Sequence, residues 1–183
     1  LDKGWSFMRP EPVDGYLKEY SSHGPKTLFE GTNSLSLNLP VLETPEVPWD
    51  DPESWVSVQE FGAVGDGVTD DTEAIRRAMQ SGKSTVYFNP GRFKINGVIE
   101  IPATVCRVNF MYGDLLAGEE LTKMHHTGAF LIRQETDAPL IIEDLFAWEK
   151  FYGYMTLVEH ACKRTVIFSD VHVQAASIYF NTV

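Results

Sequence analysis

The run Phe61-Gly-Ala-Val-Gly-Asp-Gly-Val-Thr-Asp-Asp-Thr-Glu-Ala-Ile75, continued by Arg76, Arg77, Ala78 and Met79, constrains the fold more than any other stretch of the sequence. Val56, Val58 and Phe61 lie on or near a two-residue alternation, the pattern of a short strand with one buried face. Gly62, Gly65 and Gly67 then supply backbone positions where a positive φ costs little. Asp70 or Asp71 can accept hydrogen bonds from the free amides that open a helix, with Thr72 in the same cap. Ala74, Ile75, Ala78 and Met79 recur at helical spacing as a narrow apolar stripe. The expectation is a strand, a glycine-rich turn and a small amphipathic helix from about Asp71 to Ser81.

Glycines before a helix can cradle a phosphate, but Gly65-Asp-Gly67 matches neither the dinucleotide fingerprint nor the P-loop, and its acidic residues repel an anion. A helix-loop-helix calcium site needs oxygen ligands at alternate positions and a closing glutamate, an order that Asp66, Thr69, Asp70 and Glu73 do not keep. The run therefore reads as a device that organises the fold.

The segment from Val56 to Ile101, with VQEFGAVGDGVTDDTEAIRRAM, STVYFNPGRFKI and IEIP, resembles the N-terminal signature of the pectate-lyase-like superfamily. That signature is shared by polygalacturonase- and rhamnogalacturonase-type glycoside hydrolases, exo-glucanases, epimerases and tailspike depolymerases. The resemblance covers 46 of 183 residues. It implies an all-β fold, a right-handed parallel β-helix with an N-terminal capping helix at about Asp71 to Ser81. It also implies carbohydrate processing.

A solenoid should repeat itself. Val108 to Asp114, Ala138 to Asp144 and Arg164 to Asp170 each place an apolar strand before an aspartate, and more apolar residues follow. The aspartates are 30 and 26 residues apart, which suggests three or four coils. Aspartate at a fixed place after a strand usually serves turn structure, its side chain bonding the backbone nearby. Stacked carboxylates can also bind calcium or share acid and base roles on a sugar.

Residues 1–55 differ in texture and read as an extended arm or small subdomain before the coils of 56–183. Seven prolines from Pro10 to Pro52 break it up, while Trp5, Phe7, Tyr16, Tyr20, Trp49 and Trp55 supply apolar anchors. Leu35, Leu37, Leu39 and Val41 alternate with polar residues and Pro40, the pattern of an edge strand. Glu43 to Pro52 reads as a strap. Its Trp49, with Trp55, either packs on the first coil or stacks against a sugar ring as a substrate-binding pair.

A formal charge of −11 argues against a nucleic-acid partner, because phosphate binding needs a basic surface. No apolar run approaches the ~20 residues of a membrane span. In the aspartate frame Cys106 and Cys162 fall two coils apart, roughly 9–10 Å at ~4.8 Å per strand step. That exceeds the ~7 Å disulfide limit, so two free and largely buried thiols are expected. His125-His126 lacks a third ligand at metal spacing and reads as loop; His160 and His172 lie in apparent strands.

The function that the resemblance implies is a glycoside hydrolase acting on a polysaccharide. Asp144 and Asp170 are the candidate catalytic pair on adjacent coils, with Glu143 and Glu159 as alternatives. No metal or cofactor is expected for hydrolysis, whereas a polysaccharide lyase would call for calcium beside an Arg or Lys. The competing class is a non-catalytic glycan-binding or structural β-helix of adhesin or tailspike type. Ser177 to Val183 reads as a strand without a cap, so the remainder of a longer chain or another chain is expected to cover it. A secreted, periplasmic or cell-surface location fits a polysaccharide partner.

Overall fold

In the computed structural model the residues described are 44–124, 128–147, 156–173 and 177–180, and all but Thr44 lie in the unit Pro45–Val183. Most of the arm, its Leu35–Val41 strand and the His125-His126 pair therefore lie outside the described residues. Twelve strands are assigned among those described: β1 (Trp55–Ser57), β2 (Asp66–Asp70), β3 (Thr85–Tyr87), β4 (Arg92–Ile95), β5 (Ile99–Glu100), β6 (Arg107–Asn109), β7 (Asp114–Ala117), β8 (Gly128–Ile132), β9 (Leu140–Ala147), β10 (Thr156–His160), β11 (Val166–Val173) and β12 (Ser177–Phe180). Two α-helices accompany them, α1 (Thr72–Met79) and the single turn α2 (Glu119–Thr122).

Every pairing between these strands is parallel. Eight strands form one sheet in the order β1-β3-β6-β9-β7-β4-β2, with β11 also on β9; β12-β10-β8-β5 form a second. β9 pairs with β6 through its first half and with β7 near its end, so the larger sheet bends at Asp144 into two flanks. The register runs Trp55, Thr85, Arg107, Ile141, Ile167, which makes five stacked levels of 22 to 34 residues each. This is a β-helix-like arrangement, with one level more than the aspartate spacing suggests.

Alternation along each strand fills the interior. Val56, Val86, Val108 and Ile142 stack in register, each at most 4% exposed, and Phe168 continues the column. Across the second flank Phe93 meets Leu115, and in the smaller sheet Ile99, Phe130 and Val158 do the same. Phe88 stacks on Phe110 with centroids 4.2 Å apart, while Phe93 and Phe130 meet this pair edge-on at 5.0 and 5.8 Å.

The opening run forms nearly as read. β1 is shorter than expected because Val58–Phe61 turns into a 3-10 helix, held by a capping box between Ser57 and Glu60. Asp70 meets the start of α1, its Oδ1 accepting from the Thr72 amide at 3.0 Å and hydroxyl at 2.5 Å. Asp71 does not cap; its carboxylate reaches back to the amides of Val64 and Gly65, at 2.7 and 3.2 Å. Gly65 has φ +68, and a Cβ there would lie 2.9 Å from the Phe93 ring.

The register corrects the alignment of Asp114. Asn109 pairs with Glu143 and Asp114 with Phe146, so the corner over 110–113 holds two residues more than the bend at Asp144-Leu145. Asp114 is thus not the counterpart of Asp144. Cys106 falls level with Leu140 instead of Thr136, which overturns the spacing inferred for the two cysteines. Both thiols are free, but half-buried instead of largely buried. Beside them Arg164, 1% exposed, donates Nε to the Ala138 carbonyl, Nη1 to Pro102, and Nη2 to Val105 and Pro139. One guanidinium thereby ties corners from three successive levels.

Candidate functional site

The bends at Asp144 (φ +56) and Asp170 (φ +48) lie on adjacent levels, since Ser169 pairs with Glu143 and Val171 with Leu145. On the preceding level the corner is a tight turn closed by the Gly113 amide on the Phe110 carbonyl at 2.7 Å. Its central residues, Met111 (φ +46) and Tyr112 (φ +60), occupy positions that favour Asn and Gly. These four are the only non-glycine residues with positive φ among the described residues, and all belong to one corner. Left-handed backbone costs a non-glycine residue about 1–2 kcal/mol, less for aspartate, and such strain concentrates at functional sites.

The side chains converge on the same place. Tyr112, 60% exposed, donates its backbone amide to the Asp144 carbonyl at 2.8 Å. The negative charges of Asp144 and Asp170 push the phenol pKa up. Asn109 Nδ2 donates to Asp144 Oδ2 at 3.1 Å and to Glu143 Oε1 at 2.9 Å, while Asn109 Oδ1 accepts the Met111 amide at 2.7 Å. Behind this shell Glu143 and Arg107, both under 10% exposed, pair at 2.5 Å. Arg107 also donates to the Val47 carbonyl at 2.5 Å and lies 3.7 Å from the Trp49 ring centre.

Aromatic rings border the carboxylates. Tyr112 lies 6.0 Å from Phe146, and Phe146 stacks on His172 at 5.0 Å with only 12° between the planes. The result is an outward-facing corner with two carboxylates, one phenol and a short aromatic column. Carboxylates accept from hydroxyl groups or exchange protons with them, and flat rings take up the apolar face of a cyclic ligand.

Asp144 and Asp170 are thus brought together. Glu143 is sequestered by Arg107 and Asn109 in the wall behind them. Glu159 is elsewhere, on β10 of the smaller sheet. Trp49 is 57% exposed and, among the described residues, reaches the corner through Arg107; Trp55 is half-buried, bonded by its indole N–H to Asp50 at 2.7 Å and 5.3 Å from Trp49. His160 is half-buried on β10, where burial lowers its pKa. Sequence reading missed Tyr112, Asn109, Arg107 and Phe146. Phe146 and His172 share the 26-residue offset of Asp144 and Asp170, and that signal could have revealed the aromatic column. Among the described residues no group of three or more His, Cys, Asp or Glu is placed to hold a metal ion.

Residues 55–135 match the family described as Rhamnogalacturonase A/epimerase, pectate lyase-like. The pectate-lyase-like resemblance read from Val56–Ile101 therefore holds. Among curated relatives, a pre-neck appendage protein of Bacillus phage B103 is 50% identical over 48 residues, 26% of this chain and 6% of the phage protein. A glucan 1,3-beta-glucosidase of Cochliobolus carbonum is 28% identical over 120 residues, 64% of this chain and 14% of the enzyme. The chain thus spans only a small fraction of either relative. Similar solved structures include ORF18 of Geobacillus virus E2 (TM-score 0.47, 23% identity, 68% of this chain and 26% of that one). Another is PfbA, a surface adhesin of Streptococcus pneumoniae (TM-score 0.44, 18% identity, 63% of this chain and 32% of that one).

Proposed function

We propose that this protein is carbohydrate-active, a glycoside hydrolase that engages a polysaccharide at the corner formed by Tyr112, Asp144 and Asp170. The observation that carries this reading is that every strained non-glycine residue described falls at that corner, where two aspartates on adjacent coils face one exposed phenol. Adjacent strands lie ~4.8 Å apart, close to the ~5–5.5 Å separation at which one carboxyl protonates a leaving oxygen while its neighbour attacks as nucleophile. Asn109 orients the Asp144 carboxylate, and the Phe146–His172 column supplies a platform for a sugar ring. The pectate-lyase-like match and the glucosidase relative support a carbohydrate as the partner.

The finer architecture belongs to the same proposal: a right-handed coil, α1 covering its first end, and the proline-rich arm preceding it. A secreted or surface location follows from a polysaccharide partner. Val166, Phe168, Val171 and Val173 point inward on β11 yet are only half-buried, whereas Leu140, Ile142, Leu145 and Ala147 in register on β9 are buried. A further coil, from the rest of a longer chain or from another chain, would cover them. Hydrolysis at this corner needs no metal; calcium enters only under a lyase chemistry.

The second reading is a non-catalytic module that holds a glycan on the same aromatic column, favoured by the phage relative that is named as an appendage. One experiment separates the two. On a glycan selected by array binding, D144N and D170N should each lower turnover by about 10²-fold or more while binding persists. Turnover that survives both substitutions excludes this catalytic pair, and binding without any turnover by the wild type supports the module.

A further inference from the structure

Where α1 meets the smaller sheet, a cleft of about 280 Å³ opens between Arg76 and Gln80 on α1, Val98 and Glu100 at β5, and Leu131 and Arg133 at β8. Neither Asp144 nor Asp170 lines it. Arg76 is held in place: its Nε and Nη2 both donate to the Val98 carbonyl, at 2.9 and 2.6 Å, and Nη1 pairs with Glu73. Gly97 makes the room, since a Cβ there would fall 2.7 Å from Arg76 Nη2. One N–H on each terminal nitrogen of Arg76 is left without a bond among the described residues. Arg133 is looser, 58% exposed, with Nε 3.7 Å from Glu100 Oε2; the other Glu100 oxygen accepts from Gln134 at 3.1 Å.

Two guanidinium groups and one carboxylate therefore line the cleft, while Glu73, outside the lining, offsets part of the charge of Arg76. Guanidinium groups match the planar fork of a carboxylate. A doubly charged anion would be opposed by Glu100 and by Glu73 on Arg76. Val98 and Leu131 offer an apolar floor suited to C–H groups, while Gln80 and Glu100 can bond hydroxyls. The volume lies just under the range for drug-sized ligands, room for one small ring. We propose that this cleft binds a small singly charged hydroxy-carboxylate. Its carboxylate bridges Arg76 and Arg133, and its hydroxyls meet Gln80 and Glu100.

The test is a titration of the whole chain with glucuronate, glucose and sulfate at constant ionic strength, followed by backbone amide chemical shifts. Glucuronate should saturate shifts at Val98, Leu131 and their neighbours. R133Q, a change at an exposed side chain, should weaken this by about tenfold or more, as should G97A through displacement of Arg76. D144N should leave it unchanged, so failure of the hydrolase reading and failure of this one are distinguishable. Equal binding of glucose would show that charge plays no part and would overturn the proposal. So would equal binding of sulfate, or glucuronate shifts that are absent or insensitive to R133Q.

Discussion

Asp50 receives the Trp55 indole and the Thr85 hydroxyl on one oxygen, each at 2.7 Å, and the Ser84 hydroxyl on the other. Burial pushes its pKa up, but those hydrogen bonds outweigh burial and hold it below the ordinary 3.8. A folded value below the unfolded one gives stability that is full above pH ~3.8 and is lost as pH falls through the depressed value. D50N should therefore be about 1–2 kcal/mol less stable than the wild type near neutrality, with the gap closing in acid. Urea denaturation across pH reads this directly. Asp71 behaves oppositely, because burial raises its pKa against the pull of the Val64 and Gly65 amides, with the charges of Asp66 and Asp70 adding to the rise. Its contribution is full below pH ~3.8 and is lost as pH rises through the raised value. D71N should accordingly gain on the wild type over that window in the same titration.

At the scale of elements, the turn between β1 and α1 depends on the absence of a side chain at Gly65. G65A meets both an unfavourable φ and the Phe93 ring, and should cost about 2–3 kcal/mol in chemical denaturation. The reading of this turn from sequence succeeded because glycine positions, a helix cap and a 3.6-residue stripe are all local signals. The β9–β11 equivalence was legible for a related reason: both strands bend at a single aspartate, so 26 residues carry one onto the other. The preceding level escaped because its corner turns through Met111 and Tyr112, residue types that carry no turn signature, and two extra positions broke the frame. Much of the candidate site was hidden with it. Tyr112, Asn109 and Arg107 are recruited by that misread corner, whereas Asp144 and Asp170 stood out through their spacing.

For the molecule as a whole, stability passes from coil to coil through neighbours in a stack. Phe110 is the central link, touching Phe88 on the level before and Phe130 across the interior. F110A should cost about 3–5 kcal/mol. Amide exchange should show the loss on both adjacent levels, spreading through the stack from the mutated site. Hydrogen bonds between parallel strands also run along the stacking axis, so a pull along that axis would open the stack rung by rung, like a zipper. Arg164 works against this failure mode. Its guanidinium grips carbonyls of the corners at Ala138-Pro139 and at Pro102 and Val105. Lifting away the coil that carries it must break bonds two levels deep, which makes a single buried cation a mechanical cross-tie in an otherwise peelable column.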